Sequence, residues 1–137
     1  MNQFFEFVSN HWALCSVFLV LLTLFIQYEA MRGGRGLHSL EAVNLINHEG
    51  ALVLDVRPAK DFKTGHITGS INIPHDRLQE RLIELETHKN KPIILVCTHG
   101  HTTGASGQIL RKAGCQKVYR LTGGITAWQG DRLPLVL

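Results

Sequence analysis

Cys97 stands directly after the most apolar run of the C-terminal region, Ile93-Ile-Leu-Val96, which Pro92 opens, and directly before Thr98-His-Gly-His-Thr-Thr-Gly104. A cysteine at the carboxyl end of a buried parallel strand lies where open sheets hold their ligands. The loop after it enters a helix, whose unpaired backbone N–H groups and positive dipole end favour an anion. Gly100 lets the backbone turn closely around the sulfur, and Thr102 and Thr103 offer hydroxyls that can cap the helix or bond an anion. Such a loop suits a persulfide as well as an oxyanion, and the thiolate is the form of cysteine that attacks.

A free cysteine without such surroundings is ordinarily a small buried hydrophobe, and Cys15 and Cys115 are read that way. The spacing Cys97-x-His99-x-His101 places three metal-ligand types within five residues. With no distant fourth ligand this is not a usual zinc arrangement, so no metal and no cofactor is expected. His99 and His101 are read as loop walls or anion contacts, with His99 also able to assist proton transfer. Three cysteines at long, unequal intervals and without a CxxC pair make no disulfide framework. A reducing compartment suits them.

The elements that must position Cys97 follow from the pattern of apolar residues. From Leu37 onward, short β-type runs alternate with helical ones, which indicates a parallel α/β domain. Ser39 is expected to cap a helix through His48 with Leu40, Val43, Leu45 and Ile46 on its apolar face. Strands are expected at 51–56, 71–73, 93–96 and 117–121, and helices at 59–63, 76–87 and 103–113. In the second of these helices Leu78, Leu82, Ile83 and Leu85 would face the core. A last helical piece carries Ala127 and Trp128. The glycine- and arginine-rich stretch 31–36 reads as a linker, dividing the chain into an N-terminal segment, 1–30, and a domain, 37–137.

Between Glu6 and Glu29 no charged residue occurs. A helix over 7–28 would be roughly 33 Å long, enough to cross the hydrocarbon core of a bilayer. The N-terminus has no basic residue before this segment, unlike a secretory signal. Arg32 and Arg35 follow it, which under the positive-inside rule puts the C-terminal domain in the cytoplasm, on a single-pass protein of a bacterial inner membrane. The formal net charge of +3, from 14 Lys and Arg against 11 Asp and Glu, is spread rather than gathered in a stripe. A nucleic-acid partner is not expected.

Leu54-Asp-Val-Arg57, Phe62, Gly65-His-Ile67, Gly69-Ser-Ile-Asn-Ile-Pro74, the loop from Cys97, and Gly123-Gly-Ile-Thr-Ala-Trp128 together resemble the rhodanese homology domain, in order, over 37–137. The resemblance implies an open parallel sheet of about five strands with helices on both faces. It also implies sulfur transfer, in which a cysteine takes a sulfane sulfur from a thiosulfate-like anion as a persulfide and passes it to a thiol or cyanide. Cys97 would be the nucleophile, and Thr98, His99, Gly100, His101, Thr102 and Thr103 would hold the anionic sulfur. Asp55, Arg57 and His66 match motif positions: Asp55 and His66 would support the site by tying loops, and Arg57 would either support the site or touch substrate.

Many relatives carry Arg where this chain has Thr102, so a guanidinium clamp is missing there. The Cys-x-His-Gly-x-Ser/Thr form resembles the loop of some small bacterial thiosulfate sulfurtransferases. Cysteine phosphatases of similar fold use a longer loop closed by Arg, which makes phosphoryl transfer the weaker enzyme reading. Two alternatives to a turning-over sulfurtransferase stay open: a persulfide carrier serving one protein partner, and an adaptor that recruits a partner at the membrane with Cys97 unused.

Overall fold

A computed structural model describes residues 1–137, the side chains of 30–32 excepted. The chain forms two units, Met1–Met31 and Arg32–Leu137. In the first, helix α1 (Asn2–Asn10) ends at His11, whose N–H donates to Phe7 O at 3.0 Å. Helix α2 (Trp12–Arg32) then runs for 21 residues. It is long and apolar enough over Trp12–Glu29 to cross a membrane. The apolar helix expected over 7–28 therefore begins at Trp12, and Phe7 belongs to α1. Phe18, Leu19, Leu21, Phe25 and Ile26 all stand exposed on α2. Apolar side chains pointing in every direction give such a helix no polar face to turn toward water.

The second unit is a five-stranded, all-parallel sheet of order β1-β5-β4-β2-β3, with β1 Arg35–Leu37, β2 Leu52–Asp55, β3 Ile71–Asn72, β4 Ile93–Val96 and β5 Val118–Leu121. Helices α3 (Ser39–Glu49), α4 (Ala59–Lys63) and α5 (Thr103–Lys112) lie between the strands, and α6 (Gly124–Gly130) follows the last of them. Alternation along β4 divides the core between the two faces, as a period of two residues requires. Ile93 and Leu95 pack with Leu54, Leu110 and Val118 on one side, and Ile94 and Val96 pack with Val53, Leu121, Ile125 and Trp128 on the other. Cys97 belongs to the face that α5 covers through Leu110.

Four expectations change. The stretch read as a linker ends inside the edge strand β1, which pairs Arg35 with Tyr119 and Leu37 with Leu121. Its glycines serve close packing rather than flexibility: a Cβ on Gly33 would lie 2.5 Å from Gly104 O, and one on Gly107 would lie 1.9 Å from Gly33 O. Ser39 is the first residue inside α3, while His38 holds the cap position. Leu40 is 75% exposed and Ala42 takes the buried place on that helix.

The helix expected over 76–87 is instead two 3₁₀ segments, His75–Arg77 and Leu82–His88. With three residues per turn, Leu82 and Leu85 share a side and Ile83 rotates away. Leu85 is buried accordingly, and Ile83 is 77% exposed.

The place of β1 carries a prediction. A chain starting at His38 loses this strand and the buried Leu37 side chain, and it is expected to be about 3 kcal/mol less stable than one starting at Arg32. Urea unfolding followed by circular dichroism checks this, and equal midpoints for the two chains would contradict it.

Candidate active site

Connections leaving β2 and β4 run in opposite directions across the sheet: β2 leads outward to β3, and β4 leads the other way to β5. The crevice beyond the carboxyl ends of such a pair is where open α/β sheets bind ligands. Residues following these two strands meet there around a cavity of about 640 Å³. The segment after β2 contributes Val56, Arg57, Pro58 and Ala59, and the segment after β4 contributes Cys97, Thr98, His99, His101 and Thr102.

Cys97 follows four fully buried strand residues and is itself 6% exposed. Gly100, at φ +88°, turns the loop so that its N–H donates to Cys97 Sγ at 2.8 Å. The opposite side of the loop is held by the start of α6. Ile125 N–H donates to Cys97 O at 2.8 Å, Thr126 N–H to Thr98 O at 3.1 Å, and the Thr126 hydroxyl to Thr98 O at 3.0 Å. With these carbonyls engaged by α6, the loop keeps a backbone donor for the sulfur.

The approach of α6 needs a glycine at position 124, because a Cβ there would lie 2.1 Å from Cys97 O and 2.7 Å from Thr98 O. Gly124 and Thr126 are the supports that sequence reasoning missed. The signal was present in the Gly123-Gly124 pair that opens the motif Gly123-Gly-Ile-Thr-Ala-Trp128.

The expected loop residues divide by position. Thr98, His99, His101 and Thr102 line the cavity, while Gly100 offers its backbone to the sulfur. Thr103 is buried, and its hydroxyl donates to Gly100 O at 3.0 Å. Thr102 occupies the cap position of α5 without a side-chain capping bond. His99 Nδ1 lies 3.2 Å from Thr126 Oγ1, and the His99 and His101 rings are 6.2 Å apart.

Asp55 and Arg57 form a buried pair at the end of β2, 1% and 6% exposed. Arg57 Nε donates to both Asp55 carboxylate oxygens at 3.0 Å, Nη2 donates to Oδ2 at 2.7 Å, and the backbone N–H of Arg57 donates to Oδ1 at 3.0 Å. Nη2 also donates to Gly65 O at 2.7 Å. The guanidinium thus fastens the loop that carries Gly65 to the end of β2.

His66 lies outside the cavity lining. Its Nδ1 is 3.0 Å from Phe62 O, its ring stacks on Phe62 at 3.8 Å, and its backbone exchanges two 2.8 Å hydrogen bonds with Val136. Cys115 is buried between α5 and β5, and burial pushes its thiol above the usual range. A thiol held in its protonated form is a poor nucleophile.

The far wall of the cavity, Pro74, His75, Asp76 and Arg77, was not anticipated as part of the site. These residues follow β3, which pairs with β2 through Leu54–Ile71 and Asp55–Asn72. The Asn72 side chain donates to Asp55 O and Arg57 O at 3.0 and 2.9 Å, holding the two segments side by side. The rule that ligands bind beyond strand carboxyl ends would have pointed to them once β3 was placed next to β2.

Comparison with known proteins gives a consistent result. A family model described as a rhodanese-like domain matches residues 39–131. The uncharacterized protein YibN of Escherichia coli is 36% identical over 140 residues, covering 99% of this chain and 98% of its own. The thiosulfate sulfurtransferase GlpE of Pseudoalteromonas translucida is 30% identical over 89 residues, covering 65% of this chain and 83% of its own. Among solved structures, a rhodanese-related protein of Thermoplasma volcanium superposes with a TM-score of 0.68 at 31% identity, over 75% of this chain and 98% of its own.

Proposed function

The chain belongs to the rhodanese-like domain family, and from that membership we propose that it is a membrane-anchored sulfurtransferase with Cys97 as its nucleophile. The observation that carries this reading is the sulfur at the end of β4, receiving the Gly100 N–H and lining the cavity. The Cys97 thiolate attacks the sulfane sulfur of a thiosulfate-like anion. The S–S bond of the donor breaks, sulfite leaves with the bonding pair, and the outer sulfur remains on Cys97 as a persulfide.

The loop from Thr98 to Thr103 suits this charge, since its donors precede a helix start and need no reorganisation as the charge moves by one sulfur. Similarity to the thiosulfate sulfurtransferase GlpE supports the donor class. In a second step the sulfur passes to a thiol or cyanide. Asp55, Arg57 and His66 act as supports, through the loop ties described above.

The anchor in this reading is α2. Its 21 residues span roughly 31 Å, and the arginines at 32 and 35 set the catalytic domain on the cytoplasmic side of a bacterial inner membrane.

The test is intact mass spectrometry of the full chain in detergent after incubation with thiosulfate. The expected result is a gain of about 32 Da, one sulfur, that cyanide removes. Failure to gain sulfur from thiosulfate and from other sulfane donors would overturn the enzyme reading.

A further inference from the structure

The far wall of the cavity carries a histidine whose surroundings differ from those of His99 and His101. His75 is held on two sides. Its backbone N–H donates to Val56 O at 3.1 Å, and its ring Nδ1 lies 2.6 Å from Ser106 Oγ. Ser106 is fully buried on α5, and its Oγ also lies 3.3 Å from Thr102 O. Serine has one proton to give.

One assignment satisfies both contacts: the Ser106 hydroxyl donates to the Thr102 carbonyl, and His75 Nδ1–H donates to the Ser106 oxygen. The imidazole then carries its lone pair on Nε2, which has no hydrogen-bond partner among the described residues. His75 and Cys97 line the same cavity. His99 and His101 line the cavity as well, but both are exposed, and among the described residues the hydrogen-bond partner of His99 is the exposed Thr126.

The cavity is also larger than a thiosulfate-like anion needs. Five heavy atoms at about 30 Å³ each, the share of a water in the liquid, fill roughly a quarter of its 640 Å³. Space remains in the cavity for an organic thiol.

The two halves of sulfur transfer differ in their need for a base. A thiosulfate-like donor brings no proton to remove, whereas a thiol acceptor must lose one to become nucleophilic. We infer that His75 is the proton acceptor for an incoming thiol, with Ser106 the positioning residue that fixes its tautomer. The inference rests on the sulfur-transfer reading above.

In this step the thiol proton moves to His75 Nε2, and the thiol sulfur's electron pair forms a bond to the outer sulfur of the Cys97 persulfide. The S–S bond to Cys97 breaks and its pair stays on Cys97 as a thiolate. The acceptor leaves as a new persulfide anion, and His75 returns its proton to solvent. One S–S bond is exchanged for another, so no outside oxidant or reductant takes part.

The experiment uses the full chain in detergent, with Cys97 loaded from thiosulfate and excess donor removed. Loss of the extra sulfur is followed by intact mass against 2-mercaptoethanol and, separately, against sulfite, a nucleophile that arrives already deprotonated. His75→Asn keeps a donor for Ser106 but has no base, and it is expected to lower the ratio of thiol to sulfite rates about 100-fold. Ser106→Ala, which removes only the lock, should move the ratio in the same direction by less. The deficit should shrink across thiols of falling pKa, a trend that a loss of folding would not produce.

A ratio unmoved in both variants, or thiol and sulfite rates falling together, would overturn the role of His75. Failure of the wild-type chain to take up sulfur would remove the sulfur-transfer reading and this inference with it. Normal loading with an unmoved ratio would remove the inference alone.

Discussion

Cys97→Ser is expected to eliminate the one-sulfur gain and all sulfur transfer above the rate without protein, while leaving the fold in place. The loss is complete because the persulfide has no other atom to form on. Cys115 is buried away from the cavity with its thiol held in the protonated form, and Cys15 lies on α2. Serine leaves an acceptor for the Gly100 N–H that now reaches Cys97 Sγ, so the change in stability should stay within about 1 kcal/mol. Intact mass after thiosulfate treatment, together with a thermal melt, checks both halves of the prediction. Cys115→Ser serves as the comparison and should gain sulfur as the unaltered chain does. Sulfur uptake by the Cys97→Ser chain would displace the proposed nucleophile.

The second large effect is on stability. Arg57→Met strips the Asp55 carboxylate of both guanidinium donors while it remains buried, and leaves Gly65 O without its 2.7 Å partner. Removing one member of a buried ion pair costs about 3–5 kcal/mol, because the remaining charge has lost its compensation. That is a large share of a typical domain's 5–15 kcal/mol or so. Urea unfolding should show the shift, and Asp55→Leu in the same chain should restore much of it, since an apolar pair leaves no uncompensated charge.

If Arg57 served only to touch substrate, Arg57→Met would instead lower turnover at unchanged stability. The geometry argues for the structural outcome, because Nε and Nη2 are both engaged within the protein. The cavity face of Arg57 is then a by-product of fastening the loop beside β2. This also bears on the proposed donor recognition: with Thr102 in the Cys97 loop and Arg57 committed to Asp55, the remaining guanidinium on the cavity wall is that of Arg77, whose Nη1 lies 3.4 Å from Glu80 Oε2.

Much of the site was legible because its chemistry is local. The apolar run ending at Cys97, the glycine at 100 and the helix start at 103 are neighbours in the chain, and the anion-favouring character of that loop depends on little else. The helices α4, α5 and α6 and the strands β2, β4 and β5 likewise announced themselves through periodicity and punctuating Gly and Pro. The apolar length of α2 follows from composition alone.

What remained hidden has a common cause: it depends on partners distant in the chain. β1 is three residues long and was read as linker, since its strand state comes from pairing with β5 and from glycines packed against α5, not from its own propensity. The 3₁₀ geometry after β3 replaced an expected α-helix and turned Ile83 outward. The far wall of the cavity exists only because β3 lies beside β2, and His75 meets Ser106 only because α5 packs on the same sheet against β4 and β5. By itself the sequence determined the candidate sulfur carrier, because Cys97 and its loop are contiguous. Only the tertiary structure decided what faces that atom, because strand order brings together segments whose separation along the chain holds no record of their meeting.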